Sequence, residues 1–253
     1  MTGTKQGIQS VELAIKMLKV ISESDKPLSI TEISDLCEIS KSKAYRYLIS
    51  LVKTGFLEKD ENLKYSLGNE LTLIGIRALG QSTLDQMSTP YLEQLRDRIN
   101  KTVAITLWGD GGPFFLKWLP SHNHFNIGIQ QGSQIKVTQS ASGKIYAAFL
   151  PREKTEPLVK RELNFDEEKI EEFYKKAEEA KKLRFANTQD TLIPAISAMS
   201  VPIFDRDTKM VASLLVLGFT DSIDVSIDSD IALEMKKTAE SLSKELGYMP
   251  IEK

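Results

Sequence analysis

The sequence predicts a two-domain α+β chain, a small helical domain closed by a hairpin and then an antiparallel sheet covered by helices. Three observations carry that reading. The chain has 253 residues, more than one domain usually holds and comfortable for two. Residues 1–68 contain three short helical patterns and then a hairpin signal. The remainder alternates helical patterns with two further hairpins, the order of an α+β domain. The boundaries expected are 1–68 for the first domain, 69–86 for a linking helix and 87–253 for the second domain.

In the first helix Ile8, Val11, Ile15 and Leu18 follow helical spacing, and Ala14 and Ile21 widen the stripe. Lys26-Pro27 ends it, because the residue before proline avoids the helical region. Ser29 with Glu32 forms a capping box, and Leu28 and Ile33 stand where a hydrophobic staple would join them. Ser40 caps a third helix whose inward stripe is Ala44, Leu48, Leu51 and Val52. Thr54-Gly55 stops that helix, with Gly55 suited to the left-handed position beyond it. Phe56-Leu57 and Lys64–Leu67 read as short strands around Asp60-Glu61-Asn62.

A short helix, a tight turn, a helix with a basic polar start and a hairpin together make a winged helix-turn-helix. In that arrangement the motif's second helix enters the major groove of DNA, and its early residues reach base edges. The residues placed for DNA contact are Ser29, Thr31, Ser40, Lys41, Ser42, Lys43, Tyr45, Arg46 and Lys53, with Lys59 and Lys64 near the wing tip. Arginine and lysine can read guanine there, while serine and tyrosine reach phosphates or bases. The competing reading is a small helical bundle whose basic face is merely solvated.

Charge sharpens this. The whole chain carries a net −2, so it does not announce a nucleic-acid binder. From Ser40 to Lys53, however, there are four cations and no acid. A focused basic helix on a near-neutral protein is a local electrostatic footprint. No apolar run approaches the roughly 20 residues of a membrane span, and no signal-peptide pattern opens the chain. A single cysteine, Cys37, fits a reducing compartment, so a cytoplasmic location is expected.

Beyond residue 68, Leu71, Ile74, Ala78 and Leu73, Ile76, Leu79 give the linking helix more than one apolar face. The same helix of a second copy would cover the surplus face; packing on its own domain alone is the alternative. Thr89-Pro90 reads as the start of the next helix, with Leu92, Leu95 and Ile99 inward. Val103–Trp108 and Phe114–Leu119 are strands around a Gly-rich turn. A helix follows over Ser140–Leu150, and a highly charged helix over 166–184 reads as solvated. Ile193–Phe204 and Met210–Gly218 form a second hairpin, and Asp228 to Leu246 a closing helix stopped by Gly247.

The chain resembles the IclR family of bacterial transcriptional regulators. The resemblance rests on Ile8-Gln9-Ser10-Val11-Glu12, Leu28-Ser29-Ile30-Thr31-Glu32-Ile33 and Ser40-Lys41-Ser42-Lys43-Ala44-Tyr45-Arg46-Tyr47-Leu48. It continues through Gly55-Phe56, Tyr65-Ser66-Leu67-Gly68, Ala141-Ser142-Gly143-Lys144 and Val201-Pro202-Ile203-Phe204-Asp205. It implies a winged helix-turn-helix, a linker helix and a GAF-like effector-binding domain, acting as homodimers or dimers of dimers on palindromic double-stranded operators. Two positions depart from the family pattern. Ser40 stands where proline is frequent and Lys43 where threonine is, which points to a different operator sequence.

A small-molecule effector is expected at the turn Ala141-Ser142-Gly143, where unpaired N–H groups at a helix start can receive an anion or carbonyl. The resemblance adds Thr188, Ala198, Leu215 and Leu217, matched to positions where relatives that bind small keto-acids carry a carboxylate, a cysteine and two serines. All four have lost charge or polarity here, and a site so altered cannot satisfy a small, highly polar ligand. The expected effector therefore has an apolar or aromatic body, its polar end at Ser142, with Trp108, Phe115, Met199, Leu215 and Leu217 as walls. The alternative is that these are plain core residues around a filled or small pocket.

No catalytic motif is found, no cofactor is implied, and no metal is expected. The two histidines, His122 and His124, lack the further ligands that a closed zinc site needs and read as loop residues. The competing function is an enzyme or ligand-binding module whose N-terminal bundle serves dimerisation only.

Overall fold

The computed structural model describes residues 7–80, 83–124, 127–128, 130 and 132–249. It divides into two compact units, Met1–Ser82 and Thr83–Lys253.

The first unit holds α1 (Gln9–Ser22), α2 (Ile30–Cys37), α3 (Lys41–Lys53), the strands β1 (Leu57–Lys59) and β2 (Tyr65–Leu67), and α4 (Asn69–Gly80). Its core gathers Met17, Leu18 and Ile21 of α1, Ile33 and Cys37 of α2, Ala44, Leu48 and Leu51 of α3, and Leu57 and Tyr65 of the hairpin. One sequence expectation fails here. Ile8, Val11 and Ile15 are 69%, 56% and 47% exposed, so only the C-terminal half of the expected α1 stripe is buried in this chain. Periodicity identifies an apolar face; it does not say what covers it.

The helix boundaries are set by side chains. Ser29 and Glu32 form both halves of the capping box: Glu32 N–H donates to Ser29 Oγ, and Ser29 N–H donates to Glu32 Oε2 at 2.8 Å. The Ser29 N–H and the Ser29 hydroxyl both donate to the Glu32 carboxylate and, with Lys26 nearby, hold it below its ordinary pKa. Ser29→Ala should cost about 1 kcal/mol, readable as a lower denaturation midpoint. Because the Glu32 pKa is depressed in the folded state, its share of stability is present at neutral pH and is lost as pH falls through the carboxylate range. Ser40 caps α3 by accepting from Lys43 N–H, and Gly55, at φ +76°, follows the Thr54 cap. The wing pairs Leu57 with Leu67 and Lys59 with Tyr65. Two further backbone hydrogen bonds, of 3.0 and 2.7 Å, join Leu28 to Tyr65 at the wing root.

The second unit is built on a five-stranded antiparallel sheet of order β4-β3-β7-β6-β5. Its strands are β3 (Thr102–Gly109), β4 (Gly112–Leu119), β5 (Ala186–Gln189), β6 (Ile196–Phe204) and β7 (Met210–Phe219). The helices are α5 (Thr83–Ile99), α6 (Ala141–Phe149), α7 (Arg152–Glu162), α8 (Glu167–Leu183) and α9 (Asp230–Glu245). Strand alternation divides the core between the two faces. Val103, Ile105, Met199, Val201, Leu214 and Val216 pack with α5 and α9. Ala104, Leu215 and Leu217 pack with α6 and α8 on the other face.

Several expectations need correction. The helix expected to begin at Thr89-Pro90 begins at Thr83, with Pro90 inside it. Thr89 Oγ1 and Lys117 Nζ both donate to the Asp85 carbonyl, at 3.0 and 3.1 Å, in the turn that the proline disturbs. The helix expected over 69–86 is α4 ending at Gly80 and α5 starting at Thr83; residues 81–82, and the side chains of Ile76, Ala78 and Leu79, lie outside the described residues. The charged α8 is not solvated all round, because Ile170, Phe173, Tyr174, Ala177 and Ala180 form a buried face. Two elements, α7 and the edge strand β5, have no counterpart among the sequence expectations. Both are polar in sequence, and α7 has Pro157 inside it.

Candidate functional site

The α3 surface is organised by opposition. Ala44, Leu48 and Leu51 face the core, which turns Ser42, Tyr45, Arg46, Ile49 and Lys53 outward at helical spacing. Lys41 and Lys43 are also exposed, flanking that stripe at its N-terminal end. Lys53 closes it. Lys59 lies 5.6 Å above the Tyr65 ring on the wing, and Lys64 is exposed in the same hairpin. Among the described residues, none of these cations has a carboxylate within ion-pairing distance, whereas Lys26, before α2, pairs with Glu32. Thr31 is exposed on the first turn of α2, whereas the Ser29 hydroxyl is occupied by Glu32. Sequence reading missed Ile49. It is 48% exposed in the middle of the polar stripe, where an apolar side chain suits a thymine methyl.

The second unit contains a cavity of about 220 Å³ between the N-terminal turn of α6 and the sheet. Of the residues expected around an effector, Phe115, Ala141, Ser142, Thr188, Ala198, Leu215 and Leu217 line it. Three do not. Met199 follows Ala198 on β6 and therefore points to the opposite face, fully buried with α5 and α9. Trp108 packs on the Tyr146 ring, centroids 5.4 Å apart. Gly143 meets the loop before α6, and a Cβ there would stand 2.0 Å from the Val137 carbonyl oxygen. The remaining walls carry no sequence signal of their own. Leu192 and Ile193 come from the turn after β5, Ile196 from the first position of β6, and Gln130, Ser133, Gln134 and Ile135 from the segment that pairs with β4.

The turn that floors the cavity is firmly held. Ser140 caps α6, accepting from Gly143 N–H at 3.0 Å. The Glu162 carboxylate, at the end of α7, accepts from Val137 N–H, Thr138 N–H and Thr138 Oγ1 at 2.7–2.9 Å. Lys144 points away from the cavity and donates to the Asn187 carbonyl; burial lowers its pKa, with Lys176 adding to the effect. No charged side chain is among the described residues that line the cavity.

Behind Ser142 lies a set of buried hydroxyls. Thr106, Ser142, Ser200 and Ser213 are all fully buried. Ser213 Oγ donates to Ser142 Oγ at 3.1 Å, Thr106 Oγ1 and Ser213 Oγ are 2.6 Å apart, and Ser142 and Ser200 are 3.4 Å apart. The Tyr146 hydroxyl donates to the Thr106 carbonyl at 2.6 Å. Burial pushes the Tyr146 phenol well above the ordinary tyrosine pKa of about 10. With its folded-state pKa raised, its contribution is intact below the unfolded value and is lost as pH rises beyond it. Stability of this unit should therefore decline above about pH 10, and Tyr146→Phe should flatten that decline in alkaline melts.

The histidines are loop residues. His122 Nε2 lies 2.8 Å from Asp97 Oδ1, and His124 is exposed. No cluster of three or more His, Cys, Asp or Glu side chains placed for a metal occurs among the described residues. Cys37 is buried in the helical core, where burial raises its thiol pKa.

Comparison with known proteins covers both units. Residues 10–61 match the IclR helix-turn-helix domain, and residues 76–244 match the bacterial transcriptional regulator IclR C-terminal domain. The HTH-type transcriptional regulator XynR of Escherichia coli is 23% identical over 247 residues, 95% of this chain and 98% of that protein. An IclR family transcriptional regulator from Brucella abortus superposes with a TM-score of 0.83 at 16% identity, covering 97% of this chain and 95% of that one. An IclR homolog from Microbacterium hydrocarbonoxydans, complexed with 4-hydroxybenzoate, gives 0.75 at 16% identity over 94% and 99% of the two chains.

Proposed function

The chain belongs to the IclR family of bacterial transcriptional regulators, and from that premise we propose how it works. Two copies bind the half-sites of a palindromic operator through α3 and the wing, in the cytoplasm. A small molecule with an apolar or aromatic body enters the cavity of the second unit and changes that binding. The observation that carries the reading is the α3 stripe: cations without acid partners on the outer face of a capped helix, beside a wing. Family matches over both units favour this over a bundle that serves dimerisation alone.

Size and lining support the ligand class. An apolar cavity of about 150 Å³ accommodates benzene. The present cavity, near 220 Å³ and walled by Phe115, Ile196, Ala198, Leu215 and Leu217, suits one ring with a small substituent. A two- or three-carbon keto-acid would leave much of that wall dry and most of its own oxygens unpaired. The 4-hydroxybenzoate complex of the Microbacterium protein is consistent with a ligand of that size in this fold.

Two measurements test the reading. Gel shift with upstream DNA should show binding that weakens steeply with salt, because each phosphate contact releases counterions. A shift that ignores salt would count against the α3 interface. A thermal-shift screen should show stabilisation by aromatic acids, roughly 5–10 °C near saturation, and little by glyoxylate or pyruvate. Stabilisation by the small keto-acids alone would overturn the ligand assignment.

A further inference from the structure

We propose that Ser213, which does not line the cavity, sets the hydrogen-bond polarity of its floor, so that the site selects ligands ending in a bare acceptor and discriminates against the same body ending in a donor. The proposal rests on the effector reading above and deepens it.

Proton supply fixes the direction of the chain. Each hydroxyl has one proton to give. The geometry has Ser213 Oγ donating to Ser142 Oγ. Ser213 therefore has none left for its 2.6 Å contact with Thr106, and Thr106 Oγ1 must be the donor there. Protons thus run from β3 through β7 to α6, from Thr106 to Ser213 to Ser142. Ser142 receives one and retains its own. Within the protein, the partner for that proton is Ser200 Oγ at 3.4 Å, a long and weak contact. The other open direction is the cavity, which Ser142 lines.

Two more donors stand at the same place. The N–H groups of Ala141 and Ser142 occupy the first turn of α6 and have no partner within the helix. The helix dipole adds positive potential there, and no acidic side chain is among the described residues that line the cavity. The floor is therefore rich in donors. A carboxylate or carbonyl satisfies them together. An ammonium end leaves donors facing donors, and a hydroxyl end can accept there but carries no charge and brings a proton that the N–H groups cannot receive. Receiving a hydrogen bond also strengthens the one a hydroxyl gives, so Ser213 acts on the ligand through Ser142. It is a positioning residue, set one hydroxyl behind the cavity wall. The three hydroxyls come from positions 106, 142 and 213, far apart in sequence.

The test uses the full-length protein and three probes that share one ring, benzoate, benzyl alcohol and benzylamine, titrated by calorimetry. Wild-type protein should bind benzoate about tenfold more tightly than benzyl alcohol, with no detectable benzylamine binding. Ser213→Ala should narrow the benzoate to benzyl alcohol ratio to about threefold or less. Ser200→Ala removes an equally buried hydroxyl from the same site and should leave the ratio unchanged or widen it, since a competitor for the Ser142 proton is gone. If Ser213→Ala does not fold, Ser213→Cys, a weak donor, should give an intermediate ratio. Equal binding of all three probes, an unchanged ratio in the Ser213 variant, or equal narrowing by Ser200→Ala would overturn the polarity proposal while leaving the effector reading in place. Failure of wild-type protein to bind any of the three would overturn both.

Discussion

Arg46→Ala is expected to abolish operator binding at ordinary protein concentrations and to leave thermal unfolding unchanged. Arg46 sits in the middle of the outward stripe of α3, exposed, on the face opposite Ala44 and Leu48. Its side chain has no ion-pair partner among the described residues, so little folding energy depends on it. Surface substitutions of that kind usually stay within about 0.5 kcal/mol. A bidentate arginine interaction with a base is worth about 1–3 kcal/mol. In the proposed complex of two copies on a palindrome the loss falls at both half-sites, so the penalty becomes roughly 2–6 kcal/mol, or about 30-fold to 10⁴-fold in affinity. Gel shift against a wild-type titration measures it, with calorimetry of the free protein as the control. If Arg46 meets phosphate instead, the slope of affinity against salt also flattens, by about one for each phosphate left without its arginine. A variant that binds the operator normally would remove Arg46 from the interface.

The largest effect on stability is expected from Gly143→Ala. Helix propensity alone favours the change by about 1 kcal/mol, because alanine is the better helix former. Contact decides otherwise. The added Cβ would stand 2.0 Å from the Val137 carbonyl oxygen and 2.5 Å from its carbon, backbone atoms that cannot swing aside. Glu162 clamps that same loop through Val137 and Thr138, which removes the easiest relaxation. Destabilisation of about 3 kcal/mol is expected, the upper end for overpacking, or a melting shift of roughly 6–12 °C in a domain of this size. Ligand binding should fail with it, because the cavity floor is the part displaced. Gly75→Ala, also in a helix, is the opposite case: a Cβ there meets nothing within 4 Å among the described residues. It should stabilise by about 0.5–1 kcal/mol. Calorimetry of the two variants should show shifts of opposite sign; a neutral Gly143→Ala would mean the α6 turn is not close-packed.

Much of the fold is legible in the sequence, and the boundary follows interaction range. Caps are local. Ser29 with Glu32, and Ser40 before Lys43, signal helix starts within four residues, and the structure shows both. Turn-bounded strands and their antiparallel order also follow from short patterns. What fails is non-local. Ile8, Val11 and Ile15 make a regular stripe, yet they stay exposed in this chain. Met199 is expected beside Ala198 as a cavity wall, although neighbours on a strand face opposite ways. Leu192 and Ile193 line the cavity from a turn, where no periodicity marks an inward side. The hydroxyls behind Ser142 are ordinary strand residues until β3, β6, β7 and α6 bring them together.

The two hydrogen bonds between Leu28 and Tyr65 fasten the wing root to the segment that launches α2, and both are built on one core with α3. Mechanically this makes the head a single part. Under the proposed regulation, a signal from an occupied cavity would translate or rotate such a part rather than bend it. In the proposed complex of two copies the quantity left to regulate is the span between heads, a ruler laid along the double helix. Base pairs inserted between the half-sites and an effector in the cavity would then act on the same variable, so an operator with altered spacing should change how strongly the effector is felt.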